Sequence, residues 1–404
     1  MPEPVFFSLT REISPPPPKG RRKRYAARNQ QDGDSSAPPP PALAAVEAGE
    51  AQVRDHLAYF SAHLAARSRP MLGTSPPRIS IEEFKALYQR NQDRHGRHFV
   101  VHQHNHPVAG VHYDLRLQFS RTSCVSWAIP YGLPGNAGSR RQGRMAVETR
   151  VHCLWNNLIE SASHATGSLL IWDTGEYEVL DRHPPAVETD DEEAGVDWRE
   201  PENERLVKAF QSAYIRLRLH GTRLPQGYTV TLRLPPDNNI VRQPRGLKRK
   251  RRRADPSSGR AKGGSQSSDE QDSRGGDSAD LEESAVAAAA SDDENGDDAR
   301  IREENAYTGA TNSIGSVHQR RWHLSLDKAN SGFVKVRTGD GRGVWRRRRR
   351  DGGDDDSPAG FEAFFVGGVE VERSVVTGRL SEEIMADEGV QGFVARKMWR
   401  PVLD

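Results

Sequence analysis

The sequence predicts a mainly β protein of the α+β class, built as a small antiparallel β-barrel with flanking helices. The main observation is a series of short segments, rich in β-branched and aromatic residues, that begins near His98 and is divided by Gly, Pro, Asn and Ser. Two helical patterns precede this series. Long polar stretches at the amino terminus and in the middle of the chain contain almost nothing to bury, which predicts that both are disordered.

The composition indicates that much of the chain lies outside a packed core. Of 404 residues, 35% are hydrophobic and 28% are charged, and 58 Lys and Arg nearly balance 56 Asp and Glu. No apolar run approaches the roughly 18 residues of a membrane span, and the amino terminus does not resemble a secretory signal. Two cysteines are too few for a disulfide scaffold or a cysteine zinc cluster, so we expect a reducing compartment and no membrane.

The composition also divides the chain into regions. Residues 1–43, with two proline runs and a basic run, are expected to be disordered. The main part of the barrel is expected over 80–241 and a disordered insertion, first basic and then acidic, over 242–306. Residues 307–404 are expected to continue the barrel domain and to add a carboxy-terminal extension.

Several elements can be placed within these regions. Residues 44–67 favour helix, because apolar side chains recur three or four positions apart. Ser80 and Glu83 form a capping-box pattern at the start of a second helix. Helices are also predicted over 202–211 and 377–388, and strand-like patterning returns after the insertion at 320–327 and 361–376.

One predicted strand carries a pattern with chemical meaning. Because successive side chains alternate across a strand, His112, Asp114 and Arg116 share one face, opposite an apolar face. The strand before it places His102 and His104 on one face, and another strand ends at His152. Imidazoles and a carboxylate suit a divalent transition ion, and a neighbouring guanidinium suits a phosphate. A solvated face of a half-exposed sheet would show the same pattern, so spacing alone leaves both interpretations open.

The order of these motifs resembles the 3′-phosphoesterase domain of bacterial DNA ligase D. The matching segments are FVVHQH, HYDLRLQF, SWAIPYGLP, AVETRVH and LLIWDTGEYE, followed by a hairpin over 214–234 and a last strand at Trp322. The resemblance implies a barrel that encloses a manganese-dependent site and trims DNA 3′ ends. It implies metal ligands His104, His112 and Asp114, with Arg116 and His152 at the phosphate.

In this resemblance the catalytic residues are His112, Asp114, Arg116 and His152, with His152 also protonating the leaving oxygen. The loop before His112 is two residues longer than usual in the family, which leaves His104, His106 and His102 as rival ligands, in that order of preference. His104 keeps the family's offset from the preceding FVV, and a loop absorbs two extra residues more easily than a strand does. Asn156 stands where the family usually has a tyrosine.

Two other classes of function fit part of the pattern. A nucleic-acid-binding module that keeps the barrel without turnover would use the same basic residues, including Arg140, Arg141 and Arg144. His112, Asp114 and His152 also follow the pattern of iron and 2-oxoglutarate oxygenases, although the serine–tryptophan–alanine context disfavours that class.

The phosphoesterase interpretation implies Mn²⁺ or another divalent transition metal and nucleic acid, namely DNA 3′ ends, as partner. It also suggests contacts with other repair proteins and a monomeric chain. The basic runs 21–24 and 248–253 favour a nuclear location, and otherwise a cytoplasmic one.

Overall fold

The computed structural model describes the barrel, its covering helices and part of the carboxy-terminal region. The described residues are 43, 46, 51–70, 76–181, 200–239, 304–339, 343–348, 359–396 and 399–403. The predicted disordered residues 1–42, both basic runs and the insertion from 242 to 303 lie outside them. No helix in the described part of the chain is long and apolar enough to span a membrane.

Eight antiparallel strands close into a barrel in the order β1-β2-β3-β4-β10-β9-β8-β7, and β7 pairs with β1. The fold class predicted from the sequence is therefore confirmed. The strands are β1 His98–His106, β2 Gly110–Gln118, β3 Ser123–Ile129, β4 Gly143–Glu148, β5 His152–Cys153, β6 Ser161–Ser163, β7 Gly167–Val179, β8 Tyr214–Gly221, β9 Thr229–Arg233, β10 Arg321–Leu326, β11 Phe333–Arg337 and β12 Gly343–Arg347.

The helices among the described residues are α1 His56–Arg67, α2 Ile81–Arg90, α3 Glu202–Gln211 and α4 Ser381–Asp387, with 3₁₀ turns at Leu154–Leu158 and Pro236–Asn238. Helix α2 begins at the predicted capping box, in which the Ser80 hydroxyl accepts from the Glu83 amide at 3.1 Å. Within the predicted helical region 44–67, Val46 is helical and residues 51–55 are not, so α1 starts anew at His56, where Asp55 caps it by accepting from the Ala58 amide. The strand-like pattern over 361–376 does not correspond to a strand in the structure, so that prediction is wrong.

The barrel interior is filled by one apolar cluster. Alternate residues of β1 and β2, such as Val101, Tyr113 and Leu115, point inward together with Trp127 and Trp172. A second apolar cluster lies on the outer side of β1 and β7, where α1, α2 and the turn Leu154–Leu158 pack against the sheet. The two faces of β1 and β2 are therefore both buried, one by the interior and one by this outer layer.

The segment after the insertion returns to the barrel earlier than the sequence indicates. Asn305 accepts a hydrogen bond from the Val151 amide at 2.9 Å, and Ala306 forms a parallel bridge with Val151. Two residues assigned to the insertion from the sequence, Asn305 and Ala306, therefore pair with the barrel, and such pairing with a distant residue leaves no local pattern. Of the described residues in 307–404, only β10 continues the barrel, and β11 and β12 form a separate two-stranded sheet.

Candidate metal centre and phosphate site

The three candidate metal ligands meet on neighbouring strands. In the β1–β2 pairing, His104 lies opposite His112 and His102 lies opposite Asp114. Because residues two apart share a face, His104, His112 and Asp114 all project from the same side of the sheet. One ligand atom from each of these three residues lies within 4.8 Å of the other two, a grouping that a single ion can bridge.

Both histidines present one nitrogen to Asp114. His104 Nδ1 lies 3.6 Å from Asp114 Oδ2, and His112 Nε2 lies 3.5 Å from Asp114 Oδ1. All three side chains are buried. Among the residues that the structure describes, none hydrogen bonds with His104 Nδ1, His112 Nε2 or Asp114 Oδ1. Buried polar atoms are nearly always satisfied, so three converging ones without partners fit a metal site.

The opposite nitrogen of each ring is held by a backbone carbonyl. His104 Nε2 lies 2.8 Å from the Thr166 carbonyl oxygen, and His112 Nδ1 lies 2.9 Å from the Gly110 carbonyl oxygen. A ring that donates from one nitrogen leaves the lone pair of the other for an ion, and such contacts usually orient metal-binding histidines. Gly167 allows the Thr166 turn to approach β1, since a Cβ there would collide with the Asn105 carbonyl oxygen.

The electrostatic surroundings favour the protonation states that a cation requires. Burial acts to raise the pKa of Asp114, but His112, His104 and Arg116 outweigh it and hold the pKa well below its usual value. Burial lowers the pKa of His112 to about 4. An ionised carboxylate beside a neutral imidazole is the donor set that divalent transition ions bind.

Arg116 and His152 lie beside this cluster. Arg116 Nη2 is 3.7 Å from Asp114 Oδ2, and its Nη1 donates to the Asn156 carbonyl oxygen at 3.3 Å. His152 begins β5 and pairs with Cys124 of β3. Burial, and then the charge of Arg116, lower the pKa of His152, while the charge of Asp114 opposes them. The structure thus brings His104, His112, Asp114, Arg116 and His152 into one region.

The two rival histidines occupy different positions. His106 Nδ1 accepts hydrogen bonds from the Val108 and Ala109 amides at 3.1 and 3.0 Å, so this atom supports the β1–β2 turn. His102 is fully buried, and neither ring nitrogen has a hydrogen-bond partner in the described part of the chain. Among the residues that the structure describes, the group able to hold a metal ion consists of His104, His112 and Asp114, and it includes neither His102 nor His106.

The location of the cluster differs from the expectation of an enclosed site. Tyr113 and Leu115 alternate with Asp114 and belong to the barrel interior. The ligand residues therefore face the outer side of β1 and β2. The physical reason is that the interior is already filled by large apolar side chains, which exclude a charged centre.

Two neighbours of the site could not be anticipated. The Tyr307 ring lies 4.8 Å from the His152 ring, and the Arg150 guanidinium lies 5.8 Å from the Tyr307 ring centroid. Tyr307 reaches His152 from the far side of the insertion. The sequence carries no local signal for Tyr307, because its contact with His152 joins segments on opposite sides of the insertion.

Comparison with known proteins defines the class of domain to which this fold and site correspond. Residues 102–232 match the model of the DNA Ligase D 3′-phosphoesterase domain family, which confirms the resemblance read from the motifs. The matched segment contains all five candidate site residues.

Individual relatives agree with this class. The chain is 33% identical over 92 residues to the multifunctional non-homologous end joining DNA repair protein LigD of Mycobacterium tuberculosis, covering 22% of this chain and 11% of that protein. It is 31% identical over 102 residues to the LigD of Mycolicibacterium smegmatis, covering 24% and 13%. The matched part of the chain therefore spans only 11% and 13% of the length of these two relatives.

Proposed function

We propose that the protein is a metal-dependent phosphoesterase that trims the 3′ ends of DNA during end-joining repair. The observation that carries this proposal is the buried group His104, His112 and Asp114. One potential metal-ligand atom of each residue has no hydrogen-bond partner in the described part of the chain, and these atoms converge beside Arg116. This group lies inside the segment that matches the 3′-phosphoesterase family. The relatives' names link that family to non-homologous end joining.

We propose Mn²⁺ as the ion that His104, His112 and Asp114 hold. The two nitrogens and one carboxylate oxygen are intermediate in hardness, which suits first-row transition ions better than Ca²⁺ or Mg²⁺. When bound, such an ion supplies Lewis-acid polarisation of a phosphoryl oxygen.

The remaining residues would act directly on the phosphate. The Arg116 guanidinium presents a planar pair of donors that matches two phosphate oxygens, and the Asn156 carbonyl orients it. His152 lies on β5, which pairs with β3 and not with β2, and it would contact the same phosphate. The negative charge of a bound phosphate would raise the lowered pKa of His152, so that the ring could donate a proton towards the leaving oxygen. The outer layer of α1, α2 and the Leu154–Leu158 turn would limit access of bulk water.

The test is an assay on end-labelled duplexes that carry a 3′-phosphate, a 3′-terminal ribonucleotide or a plain 3′-hydroxyl. With Mn²⁺, we expect the 3′-phosphate duplex to be dephosphorylated and the 3′-ribonucleotide duplex to be shortened. Both should be unchanged with a chelator, and the 3′-hydroxyl duplex should be unchanged under either condition. Binding of all three duplexes without any turnover would instead indicate a non-catalytic nucleic-acid-binding module. Turnover that persists in the chelator would contradict the metal site.

A further inference from the structure

The two-stranded sheet formed by β11 and β12, here termed the basic hairpin, is not explained by the site. Its described strand residues are exposed except for Phe333 and Trp345. Lys335, Arg337 and Arg346 project from it, and none of them has a salt-bridge partner in the parts of the chain that the structure describes. Val334, Val336 and Val344 are 36%, 38% and 42% exposed.

The base of the basic hairpin is anchored to the barrel. The Phe333 ring packs edge-on against Phe361 at 5.2 Å, and Phe361 contacts Tyr228 at 5.8 Å. The Lys328 ammonium lies 5.3 Å from the Trp345 ring centroid, and Arg347 pairs with Glu362. A two-stranded sheet is marginal by itself, so these contacts hold its cations in place relative to the barrel.

The strand directions put this hairpin and the metal centre at the same end of the barrel. His106 ends β1 and Gly110 begins β2 at that end, and the antiparallel pairing places the start of β4 and the end of β10 there too. The basic hairpin follows β10. Arg140 and Arg141 are exposed on the connection between β3 and β4, which lies at this end between the two features.

The strand order gives an approximate separation between the metal centre and the basic hairpin. Three neighbouring-strand steps separate β2 from β10, which amounts to about 15 Å. At about 3.4 Å per base pair, that distance corresponds to roughly four base pairs along a duplex. A duplex whose 3′ end reached His104 and His112 would therefore bring backbone phosphates towards Arg140 and then to the hairpin.

We propose that the basic hairpin is a docking surface for the phosphate backbone of duplex DNA, about four base pairs from the end held at the metal centre. This inference rests on the proposed function for the position of the 3′ end. Charge complementarity favours this occupant, since β11 and β12 carry four cations (Lys335, Arg337, Arg346 and Arg347), and of these Arg347 pairs with Glu362. The hairpin contributes affinity and register, and it reads no base sequence.

The test compares Arg337→Gln/Arg346→Gln with the control Arg121→Gln/Arg233→Gln, which removes two exposed charges from the opposite end of the barrel. Binding to a duplex of about 16 base pairs with a 3′-hydroxyl is measured as a function of salt. We expect the hairpin variant to lower the slope of log K against log salt by about 2, because each lost phosphate contact removes about 0.9. The control should keep the parental slope.

A second readout separates docking from chemistry. On a 3′-phosphorylated duplex of that length, the hairpin variant should raise KM with kcat unchanged, and it should cleave a 3′-phosphorylated dinucleotide as well as the parent does. An unchanged salt slope would overturn the proposal. The proposal would also be overturned if the hairpin variant lost binding to anionic phospholipid vesicles but kept the parental affinity for the duplex. A reduced slope would support the docking surface even if the parent shows no turnover, which distinguishes this inference from the proposed activity.

Discussion

Asp114 contributes the one negative charge among the three potential metal ligands. A substitution at this residue therefore tests the metal site directly. Asp114→Asn preserves the size of the side chain and leaves Tyr113 and Leu115 in the barrel interior. It removes the anionic oxygen that faces both histidines. We expect bound manganese and phosphoesterase rate to fall by at least about 100-fold. Elemental analysis and end-labelled turnover measure the two losses, and urea unfolding checks that the fold remains.

Full turnover by Asp114→Asn with an intact fold would place the reaction elsewhere. Loss of the fold in this variant would make Asp114 a structural residue, a result that the apolar inner face of β2 argues against.

The choice between His104 and His106 depends on which ring nitrogens are already engaged. His104 Nδ1 faces Asp114, whereas His106 Nδ1 accepts two backbone amides of the turn. We therefore expect His104→Ala to lose the ion and His106→Ala to keep most of it while destabilising the turn by about 1–2 kcal/mol. Calorimetric titration with Mn²⁺ compares the two variants directly. Metal loss in His106→Ala alone would refute the assignment.

At the scale of elements, the carboxy-terminal segment is fixed to the barrel by a buried ionic network. Arg379 donates to Glu160 at 3.0 Å and to Asp387 at 3.2 Å, and the Arg379 and Glu160 side chains are fully buried. The Thr377 hydroxyl donates to the same Glu160 carboxylate at 2.6 Å. These contacts join α4 to the segment that precedes β6, across more than 200 residues of sequence.

Removing one partner of this network should be costly. We expect Arg379→Met to lower the free energy of unfolding by about 3 kcal/mol or more, because the Glu160 carboxylate would stay buried without its counter-charge. Glu160→Gln combined with Arg379→Met should recover part of that loss. Arg218→Met, which breaks a partly exposed pair with Glu178, is the matched control and should cost less than about 1 kcal/mol. Urea unfolding measures all three, and equal losses for Arg379→Met and Arg218→Met would contradict the interpretation.

At the scale of the whole molecule, the insertion separates two parts of one barrel. Replacing residues 242–303 by a flexible linker of about eight residues should change the free energy of unfolding by about 1 kcal/mol or less, since closure entropy rises slowly with loop length. Extending the deletion through 306 should cost more, because Asn305 and Ala306 pair with Val151 and Asn305 also donates to Ser316 at 3.1 Å. Thermal unfolding of the two variants checks the difference, and equal stability would show that the return segment is dispensable.

The insertion also contains one of two basic runs for which we propose a role in nuclear import. Replacing Lys248, Arg249 and Lys250 by Gln in a fluorescently tagged full chain should move the signal towards the cytoplasm. The same replacement at Arg22, Lys23 and Arg24 is the matched comparison. An unchanged distribution when both runs are neutralised would exclude import through these residues.

Local patterns along the chain were enough to identify which residues share a face and which chemistry they can support. Period-two alternation separated His112, Asp114 and Arg116 from Tyr113 and Leu115, and the structure shows the second pair in the barrel interior. The helix start at Ser80 was equally local, because the capping box lies within four residues. These features are encoded by neighbours along the chain, so no tertiary information was needed.

The position of that face in the barrel, and the residues that complete the site, depend on packing between distant segments. Alternation cannot tell the interior of a barrel from its outer side when both are covered, and here the polar face turned out to be the outer one. The carbonyl of Thr166, 62 residues from His104, orients that ring, and Tyr307 reaches His152 across the insertion. Contacts of this kind depend on strand pairing between distant segments, and such pairing leaves no periodic trace in the sequence.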